Sequence, residues 1–371
     1  QVYQHQLFIN DGKANFILKP GATPLYATNT GVLLALDFDD DGDMDIFSGS
    51  RSQPQDYGTT PASYLLENDG KGKFTDVTIT KAPLFQQLGM ITGAVWQPLV
   101  KGQSPVLTIV GEWMAPISFQ FSKGKFSAVD NGLKDYKGWW QNIQAADIDL
   151  DGDTDFILGN LGQNFYLKPS TTHPVRLWVK DFDGNGIADK ILTQTINGKD
   201  MPVFTKREIT DQLPSLKKGN LKHTDFAKKT VQDLFGSAIE SAKQLVVNDA
   251  ASYVALNNGK GQFTMQQLPL AVQLTSMNAI RLTDVNGDNY PDIVCAGNFF
   301  DLLPQFCRID GGYGQVLLNN QKGGFAIMPI SQTGLRVQGA VRDIAVVEQN
   351  KQALFVFLQN NDLPVVYSLR K

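Results

Sequence analysis

Four short segments concentrate aspartate side chains at a spacing that suits a hard metal ion. The two most acidic run from Asp37 to Asp45 and from Asp147 to Asp155, and two less acidic copies run from Asp181 to Asp189 and from Asp284 to Asp292. In each copy, side-chain oxygens stand at loop positions one, three, five and nine, and a backbone carbonyl is available at position seven. Oxygen donors in this number are typical of calcium, whereas magnesium keeps more of its water in a strict octahedron.

The predicted metal ligands occupy the same five positions in every copy. Those with side-chain oxygens are Asp37, Asp39, Asp41 and Asp45; Asp147, Asp149, Asp151 and Asp155; Asp181, Asp183, Asn185 and Asp189; and Asp284, Asn286, Asp288 and Asp292. Backbone oxygens would come from Asp43, Asp153, Ile187 and Tyr290. A single loop of this kind is also compatible with an Asp-rich surface turn, but four copies in one frame favour metal sites.

Crowded carboxylates repel one another without a cation, so calcium is expected to stabilise the folded chain. The last two loops carry fewer acids and are expected to bind the ion more weakly.

Each acidic loop lies between two apolar strands, and a second repeat accompanies it. This second repeat is a hairpin with an Asn-Gly-Lys-Gly type of turn, whose Asn and Gly residues supply the positive φ angles of a tight turn. Its copies are Tyr64 to Phe74, Tyr253 to Phe263 and Val316 to Phe325, with looser ones at Phe8 to Phe16 and Phe119 to Phe126. Gly93 to Glu112 and Val341 to Asn360 keep the apolar frame of the first repeat without its acids.

Together the two repeats form a unit of four antiparallel strands, and several such units in series predict an all-β fold, a β-propeller. We expect one domain over residues 1–371 with seven blades. The six loop positions that can be counted would give six blades, and the interval from Asp181 to Asp284 leaves room for a degenerate seventh. Residues 206–243 have helical apolar spacing, with Thr224 or Asp225 as N-cap. They predict a helical insertion, either a brace on a blade or a lid.

Composition narrows the function classes. Hydrophobic residues make up 42% and charged residues 19% of the chain, with 34 Gly and 17 Pro, which suits many short strands joined by turns. The net charge of −4 argues against a nucleic-acid partner. The sequence predicts no transmembrane segment. Cys295 and Cys307 are either bridged or free. Because the chain starts at Gln1, we interpret it as a processed protein or part of a larger polypeptide.

Ligand-binding residues are expected on the face opposite the acidic loops, where the connection after each second strand emerges. Aromatic, amide and charged side chains there suit a carbohydrate or a peptide. The candidates are Arg51, Glu112, Trp113, Trp139, Trp140, Asn160, Asn164, Asn298 and Asp301. The alternative for the tryptophans is packing between neighbouring sheets.

The acidic loops and their flanking strands resemble the FG-GAP/VCBS repeats of β-propellers, similar to the head of integrin α subunits and, more closely, to bacterial surface proteins with these repeats. The resemblance covers nearly the whole chain except the helical insertion. It implies a ring of about seven blades, calcium in loops between first and second strands, and an extracellular, cell-surface or periplasmic location. The two acid-free units and the insertion depart from the family pattern, which leaves the blade number open.

Three functions follow as expectations. The favoured one is a calcium-binding adhesion or binding module for a glycan or an extracellular protein. The alternatives are a structural domain of a larger surface protein and a polysaccharide lyase-like enzyme. In the enzyme, Glu112, Asp301 and Arg51 would serve as acid, base and charge stabiliser. Because the sequence carries no hydrolase elbow, zinc-protease motif or phosphate-binding loop, a non-catalytic role is favoured.

Overall fold

A computed structural model describes residues 4–349 and 352–369. The chain opens with a hairpin of β1 (Phe8–Asn10) and β2 (Phe16–Leu18). Its turn is held by Asp11, whose Oδ1 accepts the N–H groups of Lys13 and Asn15 at 2.7 and 3.2 Å. The hairpin predicted at Phe8 to Phe16 is therefore confirmed.

The first two sheets follow the predicted order of strands. The first sheet comprises β3 (Asn29–Leu36), β4 (Asp45–Ser52), β5 (Tyr64–Asn68) and β6 (Phe74–Asp76), paired antiparallel in chain order. After α1 (Thr78–Lys81) and a 3₁₀ turn (Pro83–Gln87), the second sheet comprises β7 (Met90–Gln97), β8 (Val106–Met114), β9 (Ile117–Ser122) and β10 (Lys125–Val129). A short strand, β11 (Gly138–Trp139), also pairs with β8.

The third sheet is interrupted by another sheet. It begins with β12 (Asn142–Ala146) and β13 (Asp155–Gly159). The chain then builds what we call the inserted sheet from β14 (Val175–Lys180), β15 (Asp189–Ile196), β16 (Lys199–Pro202) and β17 (Lys243–Val247), with β17 returning to pair with β14. It re-enters the third sheet as β18 (Tyr253–Asn257) and β19 (Phe263–Gln267), and β18 pairs with β13.

The helical segment lies between β16 and β17. It contains α2 (Lys206–Gln212), α3 (His223–Phe226), α4 (Val231–Phe235) and 3₁₀ turns at Pro214–Lys217 and Gly236–Ser241. The N-caps with capping boxes are Thr205 and Thr230, so the predicted cap at Thr224 or Asp225 is wrong. Val231, Ile239 and Ala242 pack against Trp178 and Ile191 of the inserted sheet, as expected of a brace.

Two further sheets complete the described chain. After a 3₁₀ turn (Val272–Leu274), the fourth sheet comprises β20 (Met277–Thr283), β21 (Asp292–Gly297), β22 (Gln315–Asn319) and β23 (Phe325–Ile327), with a 3₁₀ turn at Pro304–Phe306. After α5 (Ile330–Thr333), the last sheet has three strands, β24 (Val341–Gln349), β25 (Gln352–Gln359) and β26 (Val365–Ser368). Both cysteine thiols are free, Cys295 buried and Cys307 exposed.

The sheets pack face to face in series. The first strand of each sheet contacts the first strand of the next sheet, in the order β3, β7, β12, β20 and β24. A separate apolar core fills each of the four interfaces. The prediction of an all-β fold built mostly of four-stranded antiparallel sheets is thus confirmed. The predicted seven blades, or six, are not confirmed: among the described residues five sheets have the repeat order, and the Asp181 loop belongs to the inserted sheet. Among the described residues, no helix is long and apolar enough to cross a membrane.

A β-bulge recurs near the start of the first strands. The pairing register shifts at Gly31 in β3, Thr92 in β7, Asn278 in β20 and Arg342 in β24. Bulges re-aim side chains and are common beside functional sites. A glycine on the second strand often permits that strand to lie close to the backbone at the start of a first strand. A Cβ added at Gly297, for example, would lie 1.5 Å from the carbonyl oxygen of Ser276.

Gly297→Ala should therefore lower the free energy of unfolding, by about 1–3 kcal/mol or more, because backbone must move to make room for the methyl group. Gly219→Ala is the control, since an added Cβ there meets nothing within 4 Å. Urea denaturation of both variants measures the difference. Equal stability of the two variants would contradict the requirement for close approach.

Candidate functional site

The acidic loops join first to second strands, as predicted, in the first, third and fourth sheets and in the inserted sheet. In three loops a carboxylate oxygen from each of three acids lies within 4.8 Å of the other two. The groups are Asp37, Asp39 and Asp41; Asp147, Asp149 and Asp155; and Asp181, Asp183 and Asp189. The fold therefore brings together most of the acids predicted at positions one, three, five and nine of these loops.

Several carboxylate oxygens in the first two loops are buried and have no hydrogen-bond donor among the described residues. They are Oδ1 of Asp37, Asp39, Asp43, Asp147 and Asp149. Buried polar atoms are normally paired, and an unpaired charged acceptor is costly. A hard cation with several oxygen ligands would satisfy these atoms, so the donor set fits calcium.

The carboxylate at position nine of each loop also accepts hydrogen bonds that hold the loop in place, a role that sequence reasoning missed. Asp155 is buried, its Oδ1 accepts the N–H of Asn257 at 2.7 Å, and its Oδ2 accepts the N–H of Ile148 at 2.9 Å. Asp45 and Asp292 make the same pair of bonds, to Asn68 and Phe38 and to Asn319 and Val285. Position nine thus fastens the acidic loop to the Asn that opens the neighbouring hairpin turn. The sequence signal for this contact was the regular occurrence of the hairpin repeat together with the acidic loop.

In the inserted sheet the same position has different partners. Asp189 accepts the N–H of Phe182 at 3.0 Å and the side-chain amide of Gln212 at 2.9 Å. Helix α2 therefore replaces the hairpin Asn, which agrees with this loop lying outside the series of sheets.

The protonation behaviour of the loops separates them into two kinds. Burial raises the pKa of both Asp45 and Asp155 to about 6, and burial together with neighbouring Asp151 raises that of Asp149. In contrast, hydrogen bonds from backbone N–H groups lower the pKa of Asp181 and Asp288. The first two loops hold poorly solvated charge that a cation would relieve. In the last two loops, Asp181 and Asp288 are served by backbone N–H groups, although burial raises the pKa of Asp292 as well.

In the loop of the fourth sheet, the carboxylates accept hydrogen bonds from groups of the loop itself. Asp284 accepts the N–H groups of Gly287 and Asn289 at 2.7 and 2.9 Å, and Asp288 accepts that of Tyr290 at 2.9 Å. Asn286 donates its amide to Asp288 at 3.2 Å. These bonds give a reason for the expected weaker affinity of this loop.

The tryptophans predicted to contact a ligand are packing residues in this fold. Trp140 is fully buried between the second and third sheets. Trp113 and Trp139 meet edge to face, with ring centroids 5.3 Å apart, in a core shared with Val175 and Leu177 of the inserted sheet. The inserted sheet covers this part of the predicted binding face, which the sequence did not reveal.

Of the asparagines predicted to bind a ligand, two are buried and one is exposed. Asn160 and Asn298 are buried, and their side chains bond to backbone groups: Asn160 accepts the N–H groups of Trp139 and Leu161, and Asn298 donates to the carbonyls of Gly312 and Gln338. Asn164 is exposed and Asp301 lies 3.6 Å from Arg342 with most of its side chain in solvent. The buried pair shapes the connections and has no free polar surface for a ligand.

Arg51 and Glu112 form part of a polar network. Arg51 Nη2 donates to Glu112 Oε1 at 2.6 Å, and the Tyr57 hydroxyl donates to Glu112 Oε2 at 2.8 Å. Trp113 Nε1 donates to the Tyr57 hydroxyl at 2.8 Å. Burial raises the pKa of Tyr57 well above its ordinary value, so the phenol stays protonated. With both Glu112 oxygens engaged, the geometry suits fixing Arg51 in place better than proton transfer.

Residues on the first strands of all five sheets line a cavity of about 490 Å³ on the side away from the acidic loops, and we call this cavity the channel. Its polar lining includes Thr30, Arg51, Thr92, Gln141, Asn142, Gln144, Asn278, Arg342 and Asp343. A second cavity of about 580 Å³, bordered by Asp37, Met44 and Trp96, lies toward the loops. Of these channel residues, only Arg51 was among the ligand-binding residues predicted from the sequence.

Hydrogen bonds between neighbouring sheets hold several channel side chains in place. Thr92 Oγ1 donates to the carbonyl of Trp140 at 2.8 Å, and Asn142 Nδ2 donates to the carbonyl of Asn278 at 2.8 Å. Asn278 in turn donates to the carbonyl of Val341 at 3.2 Å, while its buried Oδ1 has no donor. The bulged positions thus present an ordered polar surface to the channel.

Comparisons with known proteins do not establish a family. No family model matches the chain. Urease subunit alpha of Ureaplasma parvum serovar 3 and that of Ureaplasma urealyticum serovar 10 are each 23% identical over an alignment of 289 residues that covers 75% of this chain. The chain spans 46% of the length of these curated relatives.

Two solved structures have distant overall similarity. The Vibrio cholerae biofilm matrix protein Bap1 aligns with 93% of the chain and 68% of its own, at a TM-score of 0.32 and 8% identity. BBS1N, solved in complex with ARL6DN, aligns with 93% of the chain and 94% of its own, at a TM-score of 0.26 and 10% identity. These values are too low to carry an argument about fold or function.

The contact between loop and hairpin makes the buried Asn257 side chain a stability determinant. Its Nδ2 donates to the carbonyls of Leu99 and Thr154, and its Oδ1 accepts the N–H of Gly261. Asn257→Ala should cost at least about 2 kcal/mol, because it leaves buried groups unpaired. Lys260→Ala, in the same turn but exposed, should change stability by no more than about 0.5 kcal/mol. Thermal unfolding in chelator measures both, and similar losses would contradict the role of the buried side chain.

Proposed function

We propose that the protein is a calcium-stabilised, non-catalytic module that binds a carbohydrate at the channel on the side away from the acidic loops. The observation that carries the proposal is the polar lining contributed by the first strands of five packed sheets. Amide, hydroxyl and guanidinium groups held by other hydrogen bonds are pre-organised, which lowers the entropic cost of binding a hydroxylated ligand.

Calcium would be held by the acidic loops. Asp37, Asp39 and Asp41 in the first sheet, and Asp147, Asp149 and Asp155 in the third, offer clustered oxygens, several of them buried and unpaired. The loops of Asp181 and Asp284 would take the ion more weakly. The ion would supply positive charge between carboxylates and thereby fix the ends of the first and second strands.

A binding role is favoured over a lyase role by the Arg51 network. A general base must lie within hydrogen-bond reach of the proton that it abstracts. Glu112 is occupied by Arg51 and Tyr57, and the phenol of Tyr57 is held protonated. Asp301 lies 3.6 Å from Arg342 with most of its side chain in solvent.

Extracellular, cell-surface or periplasmic placement agrees with this proposal. Calcium modules with modest affinity fill at the millimolar concentrations found outside cells. The chain would then act as one part of a larger surface polypeptide whose adhesion depends on glycan recognition.

Removal of calcium should lower the melting temperature by several degrees and release bound ions. Asp37→Asn should reduce both the bound calcium and this shift, since it removes a carboxylate from the first cluster. Asp40→Asn, an exposed position of the same loop that is not a predicted ligand, is the matched control. Calorimetry with calcium and with chelator, together with metal analysis, provides the measurement. No bound calcium and no shift would overturn the metal proposal.

Glycan binding can be tested independently of the ion. A glycan array probed in calcium should give carbohydrate hits, and Arg342→Ala should weaken the best hit at least about tenfold, as expected for loss of a charged hydrogen-bond donor. Arg207→Ala, on an exposed helix, is the control. An array without hits, or a hit indifferent to Arg342→Ala, would leave a structural role as the better explanation.

A further inference from the structure

Two arginines reach the channel from positions where the strands depart from regular pairing. In the first sheet, the residues before and after Arg51 pair with consecutive residues of β3, so Arg51 is the extra residue of a β-bulge. In the last sheet, Arg342 is skipped in the same way in the pairing of β24 with β25. A bulge re-aims the side chain of its extra residue. Because both arginines border the channel, two bulges direct positive charge to one cavity.

Neither guanidinium group is fully engaged by the protein. Arg51 Nη2 donates to Glu112 Oε1 at 2.6 Å, and its other N–H groups meet no acceptor in the described part of the chain. Arg342 Nη2 lies 3.6 Å from Asp301 Oδ2, beyond hydrogen-bond distance, and the Asp301 side chain is 70% exposed. An ion pair so exposed contributes little to stability. Both arginines therefore keep hydrogen-bond donors for a ligand.

The two positive charges also repel each other. Burial and the charge of Arg51 lower the pKa of Arg342, against the opposing effect of Asp301 and Glu112. A guanidinium group still stays protonated at neutral pH. The acid that borders the channel, Asp343, is exposed to solvent, and its Oδ1 accepts a backbone N–H at 2.8 Å. An anion between the arginines would relieve their repulsion, because guanidinium groups donate strong hydrogen bonds to oxyanions.

The channel also contains a buried acceptor. Asn278, the extra residue of the bulge in β20, borders the channel and is only 6% exposed. Its Nδ2 donates to the carbonyls of Asn298 and Val341 at 3.1 and 3.2 Å, which fixes the orientation of the amide. Its Oδ1 has no donor among the described residues. Since a buried acceptor without a donor is costly, this atom favours a ligand that carries hydroxyl groups.

We propose that the saccharide bound at the channel is acidic, with its carboxylate or sulfate group between Arg51 and Arg342 and a hydroxyl group donating to Asn278 Oδ1. The inference rests on the proposed carbohydrate-binding function and adds the charge class of the ligand. A neutral saccharide would leave the guanidinium groups short of anionic acceptors. A small inorganic anion would leave Asn278 Oδ1 without a donor.

The test uses a glycan array that carries uronic acid and sulfated oligosaccharides beside their methyl-esterified and desulfated forms. The hits should be acidic, and calorimetric titration should show at least about tenfold tighter binding of the best hit than of its neutral form. Whether esterification or desulfation removes binding identifies the anionic group. Hits confined to neutral glycans, or equal binding of both forms, would overturn the inference and leave the proposed function intact. An array without any hit would count against both.

Arg342→Gln separates the role of charge from that of shape. The variant should weaken binding of the acidic hit at least about tenfold and change binding of its neutral form by no more than about twofold. Arg336→Gln, at an exposed position ahead of the last sheet, is the matched control and should bind like the unaltered protein. Equal losses for the acidic and the neutral form in Arg342→Gln would contradict a contact between Arg342 and the anion.

Glu112→Gln tests the position of the anion at Arg51 through a gain of affinity. The substitution removes the negative charge beside Arg51 but keeps an oxygen acceptor for Nη2. Binding of the acidic hit should therefore become about threefold tighter, which damage to the fold would not produce. Thermal unfolding checks that the variant is folded. Unchanged or weaker binding by folded Glu112→Gln would overturn the placement of the anion between the two arginines.

Discussion

A buried carboxylate connects the two halves of each acidic-loop sheet in the series. Asp45, Asp155 and Asp292 each accept two backbone N–H groups, one from their own loop and one from the Asn that opens the outer hairpin. Charge-assisted hydrogen bonds of this kind are strong and directional. Because the same residue closes the acidic loop, the position of the predicted metal ligands and the pairing of the outer strands are set by one interaction.

In the third sheet, this interaction is kept across a long insertion. Its second and third strands, β13 and β18, are separated by the whole inserted sheet, yet Asp155 still accepts the N–H of Asn257, 102 residues along the chain. The insertion therefore leaves the repeat intact and adds a layer instead. That layer buries Trp113 and Trp139 and leaves the channel as the polar opening on that side. In the proposed function, a ligand would therefore be recognised by amide and guanidinium groups instead of by aromatic stacking.

Local sequence patterns were sufficient to predict part of this structure. The Asp spacing and the Asn-Gly turns specify pairs of adjacent strands, because the residues concerned contact one another or their own backbone. They do not specify which sheet a pair joins: the loop from Asp181 to Asp189 has the same local form in the inserted sheet as its relatives in the series. The burial of Trp113 depends on that insertion, and the bulges at Thr92, Asn278 and Arg342 follow from contacts between sheets. No short stretch of sequence encodes either feature.

The acidic loops and the channel cavity lie at opposite ends of the same first strands, and this separation decides how they can be coupled. Seven residues separate Thr30, at the cavity, from Asp37, at the loop, which corresponds to roughly 23 Å of strand. Charges so far apart are screened in physiological salt, where the Debye length is about 8 Å. An ion bound at Asp37 would therefore influence a ligand at Arg342 through the rigidity of the strands, by fixing their ends and the bulges they carry. Calcium bound at Asp37 would thus stabilise the proposed binding surface and contribute little to its electrostatic potential.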